Sequence, residues 1–556
     1  MNLRILLLLF LPILSVAQQY PGKTSYSVKN TTSSYLIDTN GTVTHTWTHA
    51  SNAPTCYSTY VMPGGVLWRT VSKAGNSFSG GPISGQFQKI DYNGTVLWDF
   101  VYSTTSYCSH HDICPMPNGN VLLIAYEARS QAEVTAAGCT GYTGIMWPDK
   151  VVEVQQTGLT TGVVVWEWKA WDHLVQNVNP SLANYQSSIV NHPELLHINY
   201  RPQKDWMHAN GVHYNPILDQ IAISSHNLNE IYVIDHSTTM AEAAGHTGGN
   251  AGKGGDILYR WGNPAAYSAA GTANFNVVHD AHWIQEGCPN AGELAGYNNR
   301  GISATASCAD IFLPPVNGYN YTINLGSAYG PVTYSIRQAC GGYNGNEGSS
   351  QQLPNGNILV NMGTSGMVKE FDPAGNLLWS KSLGGGNAKA FRYSDCYLDN
   401  QPPPIPTISE SNGVLTASSA ASYQWYLNGQ SLSGETAQSL SAIQNGVYVV
   451  RTTDVNGCVY RYSPGFNYQL STGVPEADAA GPYVISPNPS DGSVRITDRS
   501  VFESRFTVHV MDALGQVLLK SRNIYELDLS EYGSGLYLVS ITPDRGKTIL
   551  QKVIVH

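Results

Sequence analysis

Residues 353–379 read LPNGNILVNMGTSGMVKEFDPAGNLLW. Asn355-Gly356 marks a tight turn, Ile358-Leu359-Val360 an apolar strand, and Met367-Val368-Lys369-Glu370-Phe371 an alternating strand; Asp372-Pro373-Ala374-Gly375 then turns the chain into Leu377-Leu378-Trp379. One such unit cannot bury both of its faces, so the pattern demands copies of itself.

The copies are present. Met62-Pro63-Gly64-Gly65 and Met116-Pro117-Asn118-Gly119-Asn120 repeat the opening turn, and Lys89-Ile90-Asp91-Tyr92-Asn93-Gly94-Thr95-Val96-Leu97-Trp98 repeats the closing half. Looser versions end at Trp166 and Trp261. A closing half stands alone at Leu36-Ile37-Asp38-Thr39-Asn40-Gly41, running to Trp47, and an opening piece near Tyr393 to Leu398 lacks its own ending. The two therefore complete one shared blade, which is ring closure. Openings near Met62, Met116, His213, Trp283 and Leu353, with the shared blade, predict an all-β chain: a six-bladed β-propeller followed by two small β-sandwich domains.

Composition narrows the function classes. The chain of 556 residues carries a formal net charge of −10, and 12% of its residues are charged. No Lys/Arg cluster exists to neutralise phosphates, which excludes a nucleic-acid partner. Residues 1–17 read as a signal peptide: Arg4, an apolar run from Ile5 to Leu14, then Ser15-Val16-Ala17 with small residues for cleavage. The expectation is an exported protein, in a compartment where disulfides form. Of nine cysteines, eight fall in the propeller region, where some are expected to pair, and Cys458 stands alone in its domain.

The expected boundaries are a propeller at 18–400, a sandwich module at 401–470, a linker at 471–482 and a last domain at 483–556. Gln401-Pro402-Pro403-Pro404-Ile405-Pro406 is a stiff extended linker. Beyond it, Tyr423-Gln424-Trp425-Tyr426-Leu427-Asn428-Gly429 and Gly446-Val447-Tyr448-Val449-Val450 alternate like sandwich strands around a buried Trp. The WYLNG run and Asp454-Val455-Asn456-Gly457-Cys458 resemble the immunoglobulin-like modules of secreted bacterial proteins, and a spacer role fits them. In the last domain Ser486-Pro487-Asn488-Pro489, Asp512-Ala513-Leu514-Gly515-Gln516, Leu527-Asp528-Leu529-Ser530 and Gly535-Leu536-Tyr537 follow in order, with Lys552-Val553 near the end. This series resembles the C-terminal sorting domain of type IX secretion. The resemblance implies passage across the outer membrane by that machinery, with release or attachment at the cell surface.

Propellers place ligands at the central channel. Three histidine segments open three successive blades: Ser109-His110-His111-Asp112-Ile113, Asp205-Trp206-Met207-His208-Ala209-Asn210 and Val278-His279-Asp280-Ala281-His282-Trp283. A lone histidine at a strand end is usually a packing residue, but equivalent positions in a ring point to one centre. His111, His208 and His279 are therefore candidate site residues, and His110, His213 and His282 are read as structural. The Cys108 to Cys114 segment offers thiolate and imidazole ligands close together, but not as the two separated pairs zinc favours, so no metal is expected. Residues 248–255, GGNAGKGG, fail as a phosphate loop: Thr247 stands where the first Gly belongs and Gly254 where Ser or Thr should follow Lys253. No Gly-x-Ser-x-Gly elbow is present. No cofactor is expected.

His111-Asp112 leading to Pro117-Asn118-Gly119-Asn120, Asp205-Trp206-Met207-His208 leading to Ile223-Ser224-Ser225-His226, and His279-Asp280-Ala281 together resemble the bacterial arylsulfate sulfotransferases, six-bladed propeller enzymes of the periplasm. The resemblance implies that His279 attacks an aryl sulfate ester and carries the sulfuryl group to a phenol acceptor, while His111 and His208 hold its oxygens. One position departs. The family has an arginine just after Ile-Ser-Ser, and this chain has His226, which carries charge only when protonated. His226 is retained as a candidate, with Arg129, Arg260 or Arg337 as possible substitutes from other blades. The competing reading is a non-catalytic surface propeller that binds glycans or acts as an adhesin.

Overall fold

The computed structural model describes residues 18–470, 483–499, 505–513, 516–544 and 548–556. Residues 1–17, read as a signal peptide, residues 471–482, read as a linker, and Leu514-Gly515 lie outside the described residues.

The quoted repeat forms the strands Ser349–Gln352, Ile358–Met362, Met367–Phe371 and Leu377–Ser382. They pair antiparallel in that order, with Leu359 opposite Glu370 and Glu370 opposite Trp379. The Asn355-Gly356 turn closes through Gly356 N–H to the Leu353 carbonyl at 2.8 Å, with Gly356 at φ +87°. Only glycine adopts that conformation at no steric cost.

Five more four-stranded sheets follow the same plan. Sheet I holds Thr55–Met62, Val66–Ser72, Gly85–Ile90 and Val96–Val101. Sheet II holds Tyr107–Pro115, Val121–Glu127, Asp149–Gln156 and Gly162–Lys169. Sheet III holds Ala209–Asn215, Gln220–Ser225, Glu230–Asp235 and Tyr259–Trp261. Sheet IV holds Val278–Trp283, Leu294–Ser303, Ala306–Phe312 and Ile336–Ala339. The quoted repeat is sheet V. Sheet VI joins both ends of the propeller: Phe391–Tyr393 pairs with Lys23–Ser27, which is followed by Ser33–Ile37 and Val43–Thr48. The first strands of successive sheets pack side by side, and Lys23–Ser27 meets Thr55–Met62, so the ring closes. The shared sheet is as the sequence implies, except that its C-terminal contribution ends at Tyr393. Ser394 then caps the short helix Asp395–Asp399, its hydroxyl accepting the Tyr397 N–H.

The recurring tryptophans explain why the repeat carries one. Each sits on the outermost strand of its sheet, and its indole N–H reaches the next sheet: Trp47 to the Asp91 carbonyl (2.9 Å), Trp98 to Thr161 (3.1 Å), Trp166 to the Thr238 hydroxyl (3.1 Å) and Trp261 to the Pro331 carbonyl (2.7 Å). Trp379 instead stacks with Arg392 of sheet VI at 4.6 Å. One side chain thus fills the wedge between sheets and satisfies a buried polar group there.

After the propeller, Ile408–Ser411, Val414–Ala417 and Ser439–Ser441 form one small sheet, and Gln430–Ser431, Ser422–Leu427, Gly446–Thr453 and Tyr460–Tyr462 lie in another. Trp425 is fully buried between them and donates to the Ala437 carbonyl at 2.9 Å. This module belongs to the same compact unit as the propeller. Cys458 is not alone: it forms a disulfide with Cys396, just past the last propeller strand. The other seven cysteines are free, contrary to the expectation of pairing within the propeller. Glu286 adds an ion pair with Arg451 and accepts the Tyr426 hydroxyl.

Residues 483–556 form two sheets of their own, Tyr483–Ser486, Ser493–Asp498 and Glu526–Asp528 against Val517–Arg522, Phe506–Met511, Gly535–Pro543 and Ile549–Val555. Phe506, Val508 and Val510 alternate inward onto Ile496, Val539, Ile541 and Val553, as a sheet with one buried face requires. Within the Asp-Leu-Ser motif the Asp528 carboxylate accepts the Ser530 N–H at 3.0 Å and holds the turn that follows.

Candidate functional site

Each histidine segment sits at an irregularity in an innermost strand. Pairing register slips between Ser109 and Ile113 in sheet II, between Ala209 and Gly211 in sheet III, and between His279 and His282 in sheet IV. His111 (φ +50°), His208 (φ +52°) and Asp280 (φ +59°) are all left-handed. Such a conformation is costly for a residue with a Cβ and persists only where the surroundings enforce it. A bulge breaks the strict alternation of strand side chains and re-aims them.

What the bulges aim at is clear on both sides. Asp112 and Asp280, each following a candidate histidine, converge on the buried ammonium of Lys389, at 2.6 and 2.8 Å; Tyr60 Oη lies 2.8 Å from the same nitrogen. Burial opposes that charge, but the two carboxylates outweigh it and hold Lys389 above the ordinary lysine pKa. This clamp links segments of sheets I, II, IV and VI behind the histidines.

The four candidates come together. Ring centroids are 4.6 Å apart for His111 and His208, 4.9 Å for His208 and His226, and 5.5 Å for His226 and His279. His111 and His279 are buried. Burial, and then the neighbouring imidazoles, drive both pKa values well below the ordinary histidine range. His226 is lowered in the same direction, by burial first and His208 second.

Hydrogen-bond partners fix the ring nitrogens. Asn299 donates its Nδ2 to the carbonyls of Asn344 (2.8 Å) and Glu347 (2.9 Å), so its Oδ1, 2.7 Å from His279 Nδ1, accepts a proton from that nitrogen. The His279 lone pair is then on Nε2, which accepts the Glu347 backbone N–H at 3.1 Å. Asn227 is oriented likewise by donating to the Asp205 carbonyl (2.7 Å), and its Oδ1 takes the Nδ1 proton of His226 at 2.7 Å. His208 Nδ1 is 2.6 Å from the Asp205 carboxylate. Burial works to raise Asp205, but the His208 hydrogen bond outweighs it and the carboxyl ends below its ordinary value. Nε2 of His208 is left to take or give a proton. His110, read as structural, backs His111: its Nε2 lies 2.8 Å from Asp149 and its Nδ1 2.7 Å from His111 Nδ1.

Several of these groups carry no signal in the sequence. Gly81 closes over the quartet: a methyl group built on it lands 2.4 Å from Cε1 of His208 and 2.6 Å from Cε1 of His111. Tyr57 packs edge-on to His111 at 5.0 Å, and its buried hydroxyl has no hydrogen-bond partner among the described residues. The three arginines proposed to replace the family arginine are engaged elsewhere: Arg129 with Glu127 and Glu133, Arg260 with Glu230, Arg337 with Asp310. An arginine that borders one of the candidates is Arg201. It lines an open cleft of about 410 Å³ with Pro202, Gln203, His226, Asn227 and Asn276, and donates to the Asn227 carbonyl at 3.0 Å. His226 is the quartet member that lines that cleft, and its ring centroid lies 5.5 Å from that of buried His279.

His213 and His282 lie further along the same strands, 6.1 Å apart, and line a separate cavity with Trp283, Tyr60 and Tyr393. They take no part in the quartet.

Comparison with known proteins agrees with the sequence resemblance. Residues 16–382 match the family model "Arylsulfotransferase (ASST)", and residues 484–556 match "Secretion system C-terminal sorting domain". No curated protein matches. Similar solved structures include a protein of unknown function from Bacteroides caccae (10% identity, TM-score 0.37, covering 67% of this chain and 98% of that one). Hydrazine synthase of Kuenenia stuttgartiensis (12%, 0.30, 65% and 80%) and a streptogramin B lyase (9%, 0.30, 66% and 85%) are others. Likenesses at this level carry no functional argument. The family match spans well over half of the chain: the protein belongs to the arylsulfotransferase family and carries a type IX secretion sorting domain that marks it for export, as a secreted or surface-attached protein.

Proposed function

We propose that the chain moves a sulfuryl group from an aryl sulfate to a phenol through a covalent intermediate on His279. The observation that carries this reading is the fixed tautomer of His279: Asn299 holds Nδ1–H, so the neutral ring presents its lone pair at Nε2. Nε2 attacks sulfur, an N–S bond forms, the aryl S–O bond breaks and the phenolate leaves. An acceptor phenol then attacks sulfur, the N–S bond breaks, and the acceptor's proton goes to a base. His208 Nε2, steadied by Asp205, suits the proton transfers at both stages. The Glu347 N–H, which now points at the attacking lone pair, would turn to a sulfuryl oxygen as the bond forms.

The test is release of a chromogenic phenol from an aryl sulfate, with and without an acceptor phenol, by the wild type and His279→Ala. Acceptor-dependent release that the substitution abolishes supports transfer, and a burst of phenol without acceptor would report the covalent stage. No release across a range of pH and esters overturns it. The alternative, a non-catalytic propeller that binds glycans or other surface ligands, draws on one observation: His226 stands where the family has a permanently charged arginine.

A further inference from the structure

The glycine-rich stretch that fails as a phosphate loop has a different use. It lies on the outer side of sheets II and III, after the short helix Met240–Ala243, and carries His246 at one end and Asp256 at the other. Across from it is His173, fully buried, which follows the turn Ala170–Asp172 at the end of sheet II.

The hydrogen-bond inventory there does not balance with a neutral His173. His173 Nε2 is 2.9 Å from the Ala243 carbonyl, which can only accept, so Nε2 carries the proton. In a neutral ring Nδ1 is then a bare lone pair. Yet Nδ1 faces the Asp256 carboxylate oxygen at 2.9 Å, and His246 Nδ1 lies 2.7 Å from that same oxygen. The three donor atoms all fall within 4.8 Å of one another. The buried contact needs positive charge, supplied either by a proton on Nδ1 that makes His173 an imidazolium or by a metal ion that takes the proton's place and draws in the second imidazole on the same carboxylate.

We propose that His173 Nδ1, His246 Nδ1 and Asp256 bind a divalent transition-metal ion of the zinc type, with water in the remaining position. Two imidazoles and one carboxylate form a donor set that zinc favours. Ligand atoms on a tetrahedral zinc lie roughly 3.3 Å apart, so they settle onto the ion with shifts of about an ångström or less. The surroundings are built for it. The Ala243 carbonyl fixes the His173 tautomer, the usual support of a metal-bound imidazole. Trp168 donates its indole N–H to the Gly255 carbonyl at 2.7 Å, drawing the loop inward. A methyl group on Gly255 would land 2.0 Å from the Ala243 oxygen and 2.6 Å from His173 Nε2, so only glycine allows the approach. The His246 side chain is 60% exposed, which leaves the water position open to solvent. The ion would fasten the loop of sheet III to the edge of sheet II and takes no part in the histidine quartet.

The test uses the full chain without a histidine tag, stripped by chelator and titrated with zinc alone against a competing colorimetric chelator. The wild type, His246→Ala, Asp256→Asn and His208→Ala are compared. One equivalent should bind the wild type and His208→Ala, and bind His246→Ala and Asp256→Asn at least about 100-fold more weakly. Zinc should raise the melting temperature of the wild type and leave that of His246→Ala unchanged. His246 is exposed, so that variant folds even if Asp256→Asn does not. Absence of zinc binding by the wild type, equal binding by His246→Ala, or loss of the equivalent in His208→Ala alone would each overturn the assignment.

Discussion

The backbone N–H of Glu347 donates to Nε2 of His279 at 3.1 Å, from a residue held at φ +62°. With Asn299 accepting at Nδ1, both ring nitrogens of His279 are spoken for, one as donor and one as acceptor. A proton added at Nε2 would face the Glu347 N–H, and burial already drives the pKa well down. His279 is therefore expected to stay neutral, in the Nδ1–H tautomer, from pH 8 down to pH 5. Nitrogen-15 imidazole spectra check this, and a His279 titration with a midpoint near the ordinary histidine value of about 6.5 would refute it.

His226 is lowered by burial and by His208, so it is uncharged at neutral pH and lends the cleft no fixed positive charge. His226→Arg restores a permanent one. Charge-assisted hydrogen bonds contribute about 1.5–3 kcal/mol, so kcat/KM for an aryl sulfate should rise about tenfold or more at pH 8. The gain should shrink as the pH falls and the wild-type imidazole, its pKa lowered from the ordinary histidine value, takes up a proton. A pH-rate profile of both proteins measures the difference.

Gly81 offers a steric probe that spares the backbone, because it does not occupy a left-handed conformation. Gly81→Ala should press on the rings of His111 and His208 and cost about 100-fold in turnover. The stability loss should remain within the roughly 1–3 kcal/mol of an overpacked site. Kinetics set beside a thermal melt separate the two effects.

Far from the quartet, His236 bridges Asp219 (2.6 Å) and Glu153 (3.0 Å). Burial opposes its charge, but the two carboxylates outweigh it and raise its pKa to about 9. A raised pKa contributes stability in full below the unfolded value of about 6.5 and loses it as pH climbs through 9. The melting temperature should fall between pH 6.5 and 9.5, by an amount corresponding to about 2–3 kcal/mol from this residue. His236→Gln should be less stable at pH 6 and show a flatter decline.

The fold was legible because its cues are local and periodic: Asn355-Gly356 turns, outer-strand tryptophans, and a half repeat at Leu36 to Trp47 that needed completion. The clustering of His111, His208 and His279 was legible for the same reason, since each opens a repeat. The groups that set their chemistry were not. Glu347 acts through its main chain, Asn299 is oriented by two carbonyls, and Gly81 matters through the space it leaves empty. None of these roles depends on a residue type that advertises itself. Arg129, Arg260 and Arg337 looked available because a sequence does not show which carboxylate has already taken a guanidinium. The Cys396–Cys458 bridge was hidden because it joins two modules that composition separates.

The pairing of Thr24 with Arg392 and of Lys23 with Tyr393 has a consequence for biogenesis. A chain emerging N-terminus first presents Lys23–Ser27 with its inner edge unpaired until residue 393 has followed. A bare strand edge is a template for pairing with other chains. A product truncated at Ser382, where the family match ends, would keep five complete sheets and leave the sixth open, exposing an aggregation-prone edge at the ring's seam.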